Sequence, residues 1–309
     1  MHGLETRDTR VSSIAHLRSS AFICGFILFV GCHATPKPPP GSYFGPTESI
    51  GALVPRINAS VHELTTLRAA GDFEATIVDQ KKSSFVNGEI TLLYAKPDKL
   101  RMVGKKDIAG RIFEIGTNGQ RYWLIVRADT DTMWFGDYAN LDKMGAPRGQ
   151  IPIRPDLLLE VLGVSEINPN LIAEPYPVMR FNNDYDAYVI TWHVKLPDRL
   201  VAQKEVWYDR QTLLPTQVLL FDASGRVVLS AKIMRHQPVE VPSLPREQWP
   251  RVASSYRLFF PDSGTRMSFK FSELALQKNG APRDSSFNFP GDTAGVSHVV
   301  NVDEQPPRE

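Results

Sequence analysis

Apolar and polar residues alternate along most of the chain after Asp72. The pattern is clear at 73–77 and returns at 90–94, 188–196 and 267–271. Alternation places successive side chains on opposite faces of a strand, one toward a core and one toward water. Each of these segments therefore predicts a half-buried antiparallel strand.

Turn-forming residues separate the alternating segments at short intervals. Asn118-Gly119, between RIFEIGT and QRYWLIV, is the strongest hairpin signal in the chain. Residues 222–225 and 262–264 separate two further pairs of apolar segments. We count roughly ten to twelve strands in this way. The pattern predicts a long antiparallel meander, which avoids exposed edges by curling into a barrel or by covering an edge with helix.

Two segments have the spacing of helices instead. A helix over 56–70 is predicted by four apolar residues spaced four and three apart, namely Ile57, Val61, Leu64 and Leu67. Gly71 is well placed to end this helix. A second helix is predicted over 155–162, with Pro155 in its first turn and Gly163 after its last residue. The predicted order is a helix, strands, a short helical insertion, and strands again.

The amino terminus has the organisation of an export signal. Arginines precede an apolar run at 21–30, which is too short for a bilayer that needs about 20 helical residues. Gly31-Cys32 then resembles a bacterial lipobox, which implies removal of residues 1–31 and lipidation of Cys32. The alternative is an ordinary signal peptide with an incidental cysteine. The proline-rich residues 32–48 are predicted to be an extended tether that holds the folded domain off the membrane.

Charge and cysteine content limit the classes of function. Lysine and arginine total 35, aspartate and glutamate total 34, and the formal net charge is +1. No block of like charge stands out, so nothing indicates a nucleic-acid partner. The other cysteine, Cys24, would leave with the leader, so the domain would have no intramolecular disulfide and would depend on its core.

The sequence contains no recognisable catalytic or metal-binding motif. Its seven histidines lack metal-ligand spacing, and there is no nucleophile elbow, P-loop or His-Glu-x-x-His motif. Asp129 with Asp131, and Asp184 with Asp186, would suit a calcium ion or an acid/base pair, but turn formation is the favoured explanation. We predict a protein that is not an enzyme and needs no cofactor or metal. A hydrolase that uses these loop carboxylates is an alternative.

Short motifs also occur in a recognisable order from about Ile57 to Val300. They are LRAAG at 67–71, FVNG at 85–88, YAKPDKLR at 94–101, Asn118-Gly119 with Tyr122-Trp123, MWF at 133–135, VWYD at 206–209, Leu214-Pro215 and FNFP at 287–290. Their order and spacing resemble the LolA/LolB superfamily of bacterial lipoprotein carriers. The resemblance implies a mainly β fold, an open and strongly curved antiparallel half-barrel covered by an N-terminal helix and a short inserted helix. We expect this domain over 49–300 and a flexible tail over 301–309.

Members of that superfamily bind the acyl chains of lipoproteins in an apolar cavity. The resemblance implies such a cavity here, with acyl chains of lipoproteins or another lipid as partners. We expect its lining to be Phe73, Ile90, Leu92, Tyr94, Leu100 and Met102, with Ile57, Val61 and Leu64 closing over it. The alternative is that these side chains fill a solid core, as in small barrels. The protein would then be a structural, protein-interaction or sensor lipoprotein, the last related to the RseB regulators.

The loop at 104–110 carries a further prediction. The receptor branch of the superfamily is similar in having a loop with an exposed apolar tip, and Lys105, Lys106 and Ile108 occupy that place here. We expect them to contact an anionic membrane surface; the alternative is that Ile108 folds into the core. His33, rather than aspartate, follows the cysteine, which favours the outer over the inner membrane. The prediction is a lipid-anchored envelope protein for lipoprotein sorting or insertion.

Overall fold

A computed structural model describes residues 46–79, 82–106, 110–127, 131–140, 155–277, 282–291 and 295–304. In these residues the chain is mainly β, with fourteen strands in one open curved sheet and two α-helices. The helices are α1 (Ile50–Ala59) and α2 (Pro155–Leu162). The strands are β1 (Thr66–Asp79), β2 (Lys82–Ala95), β3 (Lys99–Lys106), β4 (Gly110–Asn118), β5 (Arg121–Val126), β6 (Thr132–Asp137), β7 (Tyr176–Asn182), β8 (Ala187–Lys195), β9 (Leu200–Asp209), β10 (Pro215–Phe221), β11 (Val227–Pro238), β12 (Arg251–Phe260), β13 (Thr265–Ala275) and β14 (His298–Asn301).

The strands form two antiparallel meanders that meet in the middle of the sheet. One runs from β1 to β6 and the other from β7 to β13, and β1 pairs with β13 to join them. β14 pairs in parallel with β6. Among the described strands, β14 and β7 form the two ends of the sheet, which does not close into a barrel. The mainly β fold and the open curved sheet are therefore confirmed.

The predicted hairpin turns are confirmed. Gly119, between β4 and β5, has a φ of +85°, and Gly264, between β12 and β13, has a φ of +74°. Glycine adopts this left-handed conformation without steric cost, which is why such residues mark the turns in the sequence. The sheet has more strands than the ten to twelve expected. Two strands are hard to recognise in the sequence, because β7 has a mixed burial pattern and β14 has only four residues.

The first helix lies earlier in the chain than predicted. α1 ends at Ala59 and β1 begins at Thr66, so a helix over 56–70 is wrong. Leu67 is buried as a strand residue, and a spacing of three from Leu64 does not distinguish a helix from a turn followed by a strand. Gly71 ends no helix. It lies at an irregularity of β1, where a Cβ atom would come within 2.0 Å of a backbone oxygen of β13.

The inserted helix is confirmed over its predicted range, since α2 spans Pro155–Leu162. Gly163 follows it with a φ of +68°, which suits the left-handed residue that ends many helices. In the described part of the chain, neither helix is long and apolar enough to cross a bilayer.

The concave face of the sheet and the two helices enclose one large apolar core. Leu53 and Ile57 of α1 and Leu158 of α2 belong to it, together with inward-facing side chains of most strands. Cross-strand pairs such as Phe73 with Phe269 build it up across the central strands. The core therefore lies where the predicted acyl site was expected.

The C-terminal segment covers the opposite face of β4–β6. Phe289 packs edge-on against Trp123, with ring centres 5.8 Å apart. Val302 is buried, and Asp303 accepts a hydrogen bond of 2.9 Å from a backbone N–H of β6. Residues 301–304, expected to begin a flexible tail, are thus part of the folded domain. Residues 305–309 lie outside the described part.

Candidate ligand site

The nine residues predicted to form the acyl site lie together on the concave face. Six are on β1–β3 and three are on α1 or just after it, and none of the nine is more than 5% exposed. In the β2–β3 pair, Leu92 lies opposite Met102 and Tyr94 lies opposite Leu100. The structure therefore brings these side chains together as part of the packed interior.

Three of the nine residues border a cavity. Ile57 and Val61 line a void of about 20 Å³, which has room for one water molecule. Tyr94 lines an open pocket of about 360 Å³. The other predicted residues belong to the buried core and border neither of these spaces. Their role in ligand binding stays a prediction.

The larger space, which we call the mouth pocket, lies between α2 and two distant strands. Its lining includes Tyr94, Lys96, Leu159, Glu160, Glu166 and Lys204. Five strands separate β2 from β9 in the sheet. In a flat sheet these two strands would lie about 29 Å apart. They line one pocket because the sheet is curved, and the mouth pocket therefore marks an opening of its concave face.

Lys204 enters the mouth pocket from the inner face of β9. Its Nζ atom lies 2.5 Å from Glu160 Oε1 of α2 and 4.6 Å from the centre of the Trp192 ring. The side chains of Lys204 and Glu160 are only 13% and 18% exposed. Their attraction is therefore less screened than that of a surface pair. This contact ties α2 to β9.

A second ion pair ties the segment after α2 to the end of β2. Lys96 Nζ donates to the Glu166 carboxylate and, at 3.0 Å, to the backbone oxygen of His62. His62 Nδ1 lies 3.2 Å from the same carboxylate. The hydrogen bond from Lys96 is the main cause that lowers the pKa of Glu166, against the opposing effect of burial. Glu166 is therefore ionised at neutral pH.

Tyr94 forms an amphipathic part of the pocket wall. Burial is the main cause that raises the pKa of its phenol, and the carboxylates of Glu166 and Asp98 act in the same direction. The hydroxyl therefore stays protonated at neutral pH. It donates to the backbone oxygen of Pro97 at 3.5 Å, which is long for a hydrogen bond between oxygens. The hydroxyl is thus only weakly engaged as a donor.

Asn58 joins α1 to the segment that follows α2. Its side-chain nitrogen donates to the backbone oxygen of Ile167 at 2.7 Å, and its side-chain oxygen accepts from the Ile167 N–H at 2.8 Å. The two helices are therefore linked to each other as well as to the sheet. We call α1, α2 and residues 163–167 the helical cover.

The aspartates noted in the sequence have partners within turns and loops. Asp131 accepts from the Ser297 backbone at 2.9 Å, and Asp186 Oδ1 accepts from Arg210 Nε at 2.7 Å. Both aspartates have positive φ angles, of 42° and 47°, which turn residues tolerate. Asp184 donates its backbone N–H within the same turn, and Asp129 lies outside the described residues. In the described part, no group of three or more His, Cys, Asp or Glu residues is placed to hold a metal ion.

The residues predicted to reach the membrane are only partly described. Lys105 and Lys106 are exposed at the end of β3. Ile108 and Cys32 lie outside the described residues. Membrane contact by the 104–110 loop and lipidation at Cys32 both stay predictions.

The sequence reading missed the charged residues of the mouth pocket. Lys204 did carry a signal, because it shares the inner face of β9 with Val206 and Tyr208, where alternation predicts apolar residues. Lys96 and Glu166 have no comparable signal in the sequence. Which segments meet at the pocket depends on the curvature of the whole sheet.

Comparison with solved structures finds similar folds. A DUF1329 family protein from Desulfovibrio piger has a TM-score of 0.50 at 10% sequence identity, covering 77% of this chain and 95% of that chain. The two proteins share a fold. No protein-family model matches the sequence, and no curated protein matches it.

The same comparison returns two further proteins. A LolA superfamily protein from Nitrosomonas europaea has a TM-score of 0.47 at 10% identity, covering 76% of this chain and 97% of that chain. An outer membrane lipoprotein-sorting protein domain from Vibrio parahaemolyticus has a TM-score of 0.45 at 12% identity, covering 77% and 95%. At such identities the likeness concerns the fold alone.

Proposed function

We propose that the protein binds acyl chains between its curved sheet and the helical cover, and that it serves lipoprotein sorting or insertion in the bacterial envelope. The observation that carries the proposal is the mouth pocket. It is an opening of about 360 Å³ beside a continuous apolar core, and Tyr94 belongs to both. The motif resemblance supports the same function.

The energetics of burial favour such a ligand. Each methylene transferred from water contributes about 0.8 kcal/mol, so ten of them would contribute roughly 8 kcal/mol. The core is packed, so an acyl chain must displace part of the helical cover. The contacts described above between this cover and the rest of the domain are side-chain packing and two lysine–glutamate pairs, whereas the strands are held together by continuous ladders. We therefore expect the cover to separate from the sheet more easily than the strands separate from one another.

The anchor and the membrane contact belong to the same proposal. Lipidation at Cys32 would hold the domain on a proline-rich tether at the periplasmic face, in the outer membrane rather than the inner. Lys105, Lys106 and Ile108 would touch the bilayer and direct the exchange of acyl chains. The motivating observation is the exposure of both lysines at the end of β3.

A second candidate function is a structural, protein-interaction or sensor lipoprotein with a filled interior. The packing of the nine predicted residues favours it, since none is more than 5% exposed and the void beside Ile57 has room for only one water molecule. In this function the core serves stability alone, and the outer surface of the domain would carry the interaction.

Native mass spectrometry tests the two functions directly. The full chain would be isolated from the envelope and examined for bound lipid, and the protein beginning at residue 40, which is the start of the compact unit, would be titrated with a fatty acid. We expect co-purified lipid and binding at micromolar concentration. Ser165→Trp, which places a large ring where both cavities meet, should weaken binding, whereas Leu200→Trp at an exposed position should not. Absence of lipid and of fatty-acid binding would favour the filled-core function.

A further inference from the structure

The wall of the mouth pocket carries two positive and two negative groups. Lys96 pairs with Glu166, and Lys204 pairs with Glu160. The lining is therefore formally neutral but has separated charges of both signs. Tyr94 and Leu159 supply its apolar part. This combination suits a small polar group attached to a hydrocarbon chain, and the volume of about 360 Å³ lies within the usual range for small-molecule sites.

We propose that the mouth pocket binds the zwitterionic head of an amphiphile, namely a phosphate ester that carries a primary ammonium group. The inference rests on the proposed function, because the attached acyl chain would enter the core beneath the helical cover. The phosphate would accept hydrogen bonds from a lysine, and the ammonium would donate to a glutamate. Both are charge-assisted hydrogen bonds of the strong class.

Charge balance selects a zwitterion over a singly charged head. A zwitterion carries one charge of each sign, so the net charge of the pocket is the same before and after it binds. An anionic head would add a net negative charge beside Glu160 and Glu166, with no ammonium to compensate it. In a partly desolvated pocket, an unpaired charge is strongly unfavourable.

The two lysines keep other contacts when the ligand replaces or weakens their ion pairs with the glutamates. Lys204 remains over the Trp192 ring, and Lys96 remains bonded to the backbone oxygen of His62. They are therefore held in place while the ligand binds. Tyr94, whose hydroxyl is only weakly engaged, would be a third donor to the phosphate.

The exposure of the lining side chains indicates which half of the head group lies deeper in the pocket. Lys204 is 13% exposed, whereas Glu166 is 34% exposed. In an amphiphile with its chain buried, the phosphate is nearer the chain and the ammonium is farther out. Lys204 with Tyr94 therefore faces the phosphate, and Glu166 faces the ammonium.

Three amphiphiles with the same acyl chain test this assignment by titration calorimetry on the full chain. They are lysophosphatidylethanolamine, which is zwitterionic, lysophosphatidylglycerol, which is anionic, and the uncharged monoacylglycerol. We expect the zwitterion to bind at least about five-fold more tightly than the other two, as the loss of one charge-assisted hydrogen bond implies.

Variants at the two ends of the pocket should change this preference in different ways. Glu166→Gln should weaken the zwitterion about ten-fold and leave the anion unchanged or tighter, because only the ammonium loses a partner. Lys204→Met should weaken both phosphate-bearing ligands. The matched controls Glu74→Gln and Lys232→Met alter exposed residues on the outer face of the sheet and should change nothing. If Lys204→Met unfolds, Lys204→Met with Glu160→Gln removes both charges of the pair and replaces it in the test.

The outcomes separate the head-group assignment from acyl binding. Equal affinity for all three amphiphiles, unchanged in Glu166→Gln, would overturn the zwitterion site and leave acyl binding standing. Chain-free glycerophosphoethanolamine is the remaining probe, and we expect it to bind far more weakly than the lysolipid. If glycerophosphoethanolamine binds as tightly as the lysolipid, and Glu166→Gln still weakens it, the head-group site is supported and acyl binding is contradicted. No binding of any probe would overturn both.

Discussion

Replacing Leu92 by alanine measures how completely the concave face is filled. Leu92 is 2% exposed on β2, between Ala69 of β1 and Met102 of β3. Replacing a leucine buried in this way by alanine lowers the free energy of unfolding by about 2–5 kcal/mol, depending on how far the neighbouring side chains close the void. Ala69 cannot extend into the space, whereas the flexible Met102 can partly fill it. We therefore expect a loss of about 3 kcal/mol in the free energy of unfolding.

Urea unfolding followed by circular dichroism measures this loss. Leu200→Ala is the control, because Leu200 is 60% exposed, and we expect it to change stability by less than about 0.5 kcal/mol. A loss below about 1 kcal/mol for Leu92→Ala would refute the packed core at this position. The same variant informs the function. If acyl chains enter the core, Leu92→Ala should bind fatty acid at least as tightly as the parent, whereas the filled-core function predicts no binding by either protein.

Three further predictions concern the anchor, the loop and the ion pairs. Cys32→Ser should incorporate no label from a fatty-acid probe and should leave the membrane fraction; labelling equal to the parent would contradict lipidation there. Ile108→Glu should reduce association with anionic vesicles but change stability by less than about 0.5 kcal/mol, and a large loss would instead place the residue in the core. Because the pKa of Glu166 is lowered, its ion pair stabilises the fold fully at pH values above 4.5, the ordinary pKa of this carboxyl group. This contribution is lost as the pH falls through the lowered pKa. The stability difference between parent and Glu166→Gln should therefore shrink in acid unfolding experiments, and a difference independent of pH would contradict the ion pair.

Local signals predicted the parts of the fold that depend on a few neighbouring residues. Asn118-Gly119 forms its hairpin because the left-handed turn requires glycine whatever the rest of the sheet does. Pro155 and Gly163 likewise bound α2 through the conformations of single residues. The position of α1 could not be predicted in this way. The apolar spacing from Ile57 to Leu67 runs through a helix, a turn and a strand, and all three bury their apolar side chains in the same core.

The candidate site was predictable only in its apolar part. Phe73, Ile90 and Leu92 follow from alternation along single strands, and they do lie together. The mouth pocket does not follow from any one strand. Lys96 and Lys204 are brought together by the summed curvature of the strands between them. Glu160 lies in a separate helix and Glu166 in the segment that follows it. Such long-range geometry leaves no trace in local periodicity.

The pairing of β1 with β13 at the centre of the sheet has a consequence for the order of folding. Thr66 and Gln277, which are hydrogen-bonded beside these strands, are separated by 211 residues. The two central strands therefore cannot pair until almost the whole chain is available, and the entropy of closing such a long loop must be overcome first. Non-local pairing of this kind makes folding slow. Until β13 has been synthesised, the edge of β1 that pairs with it has no partner strand.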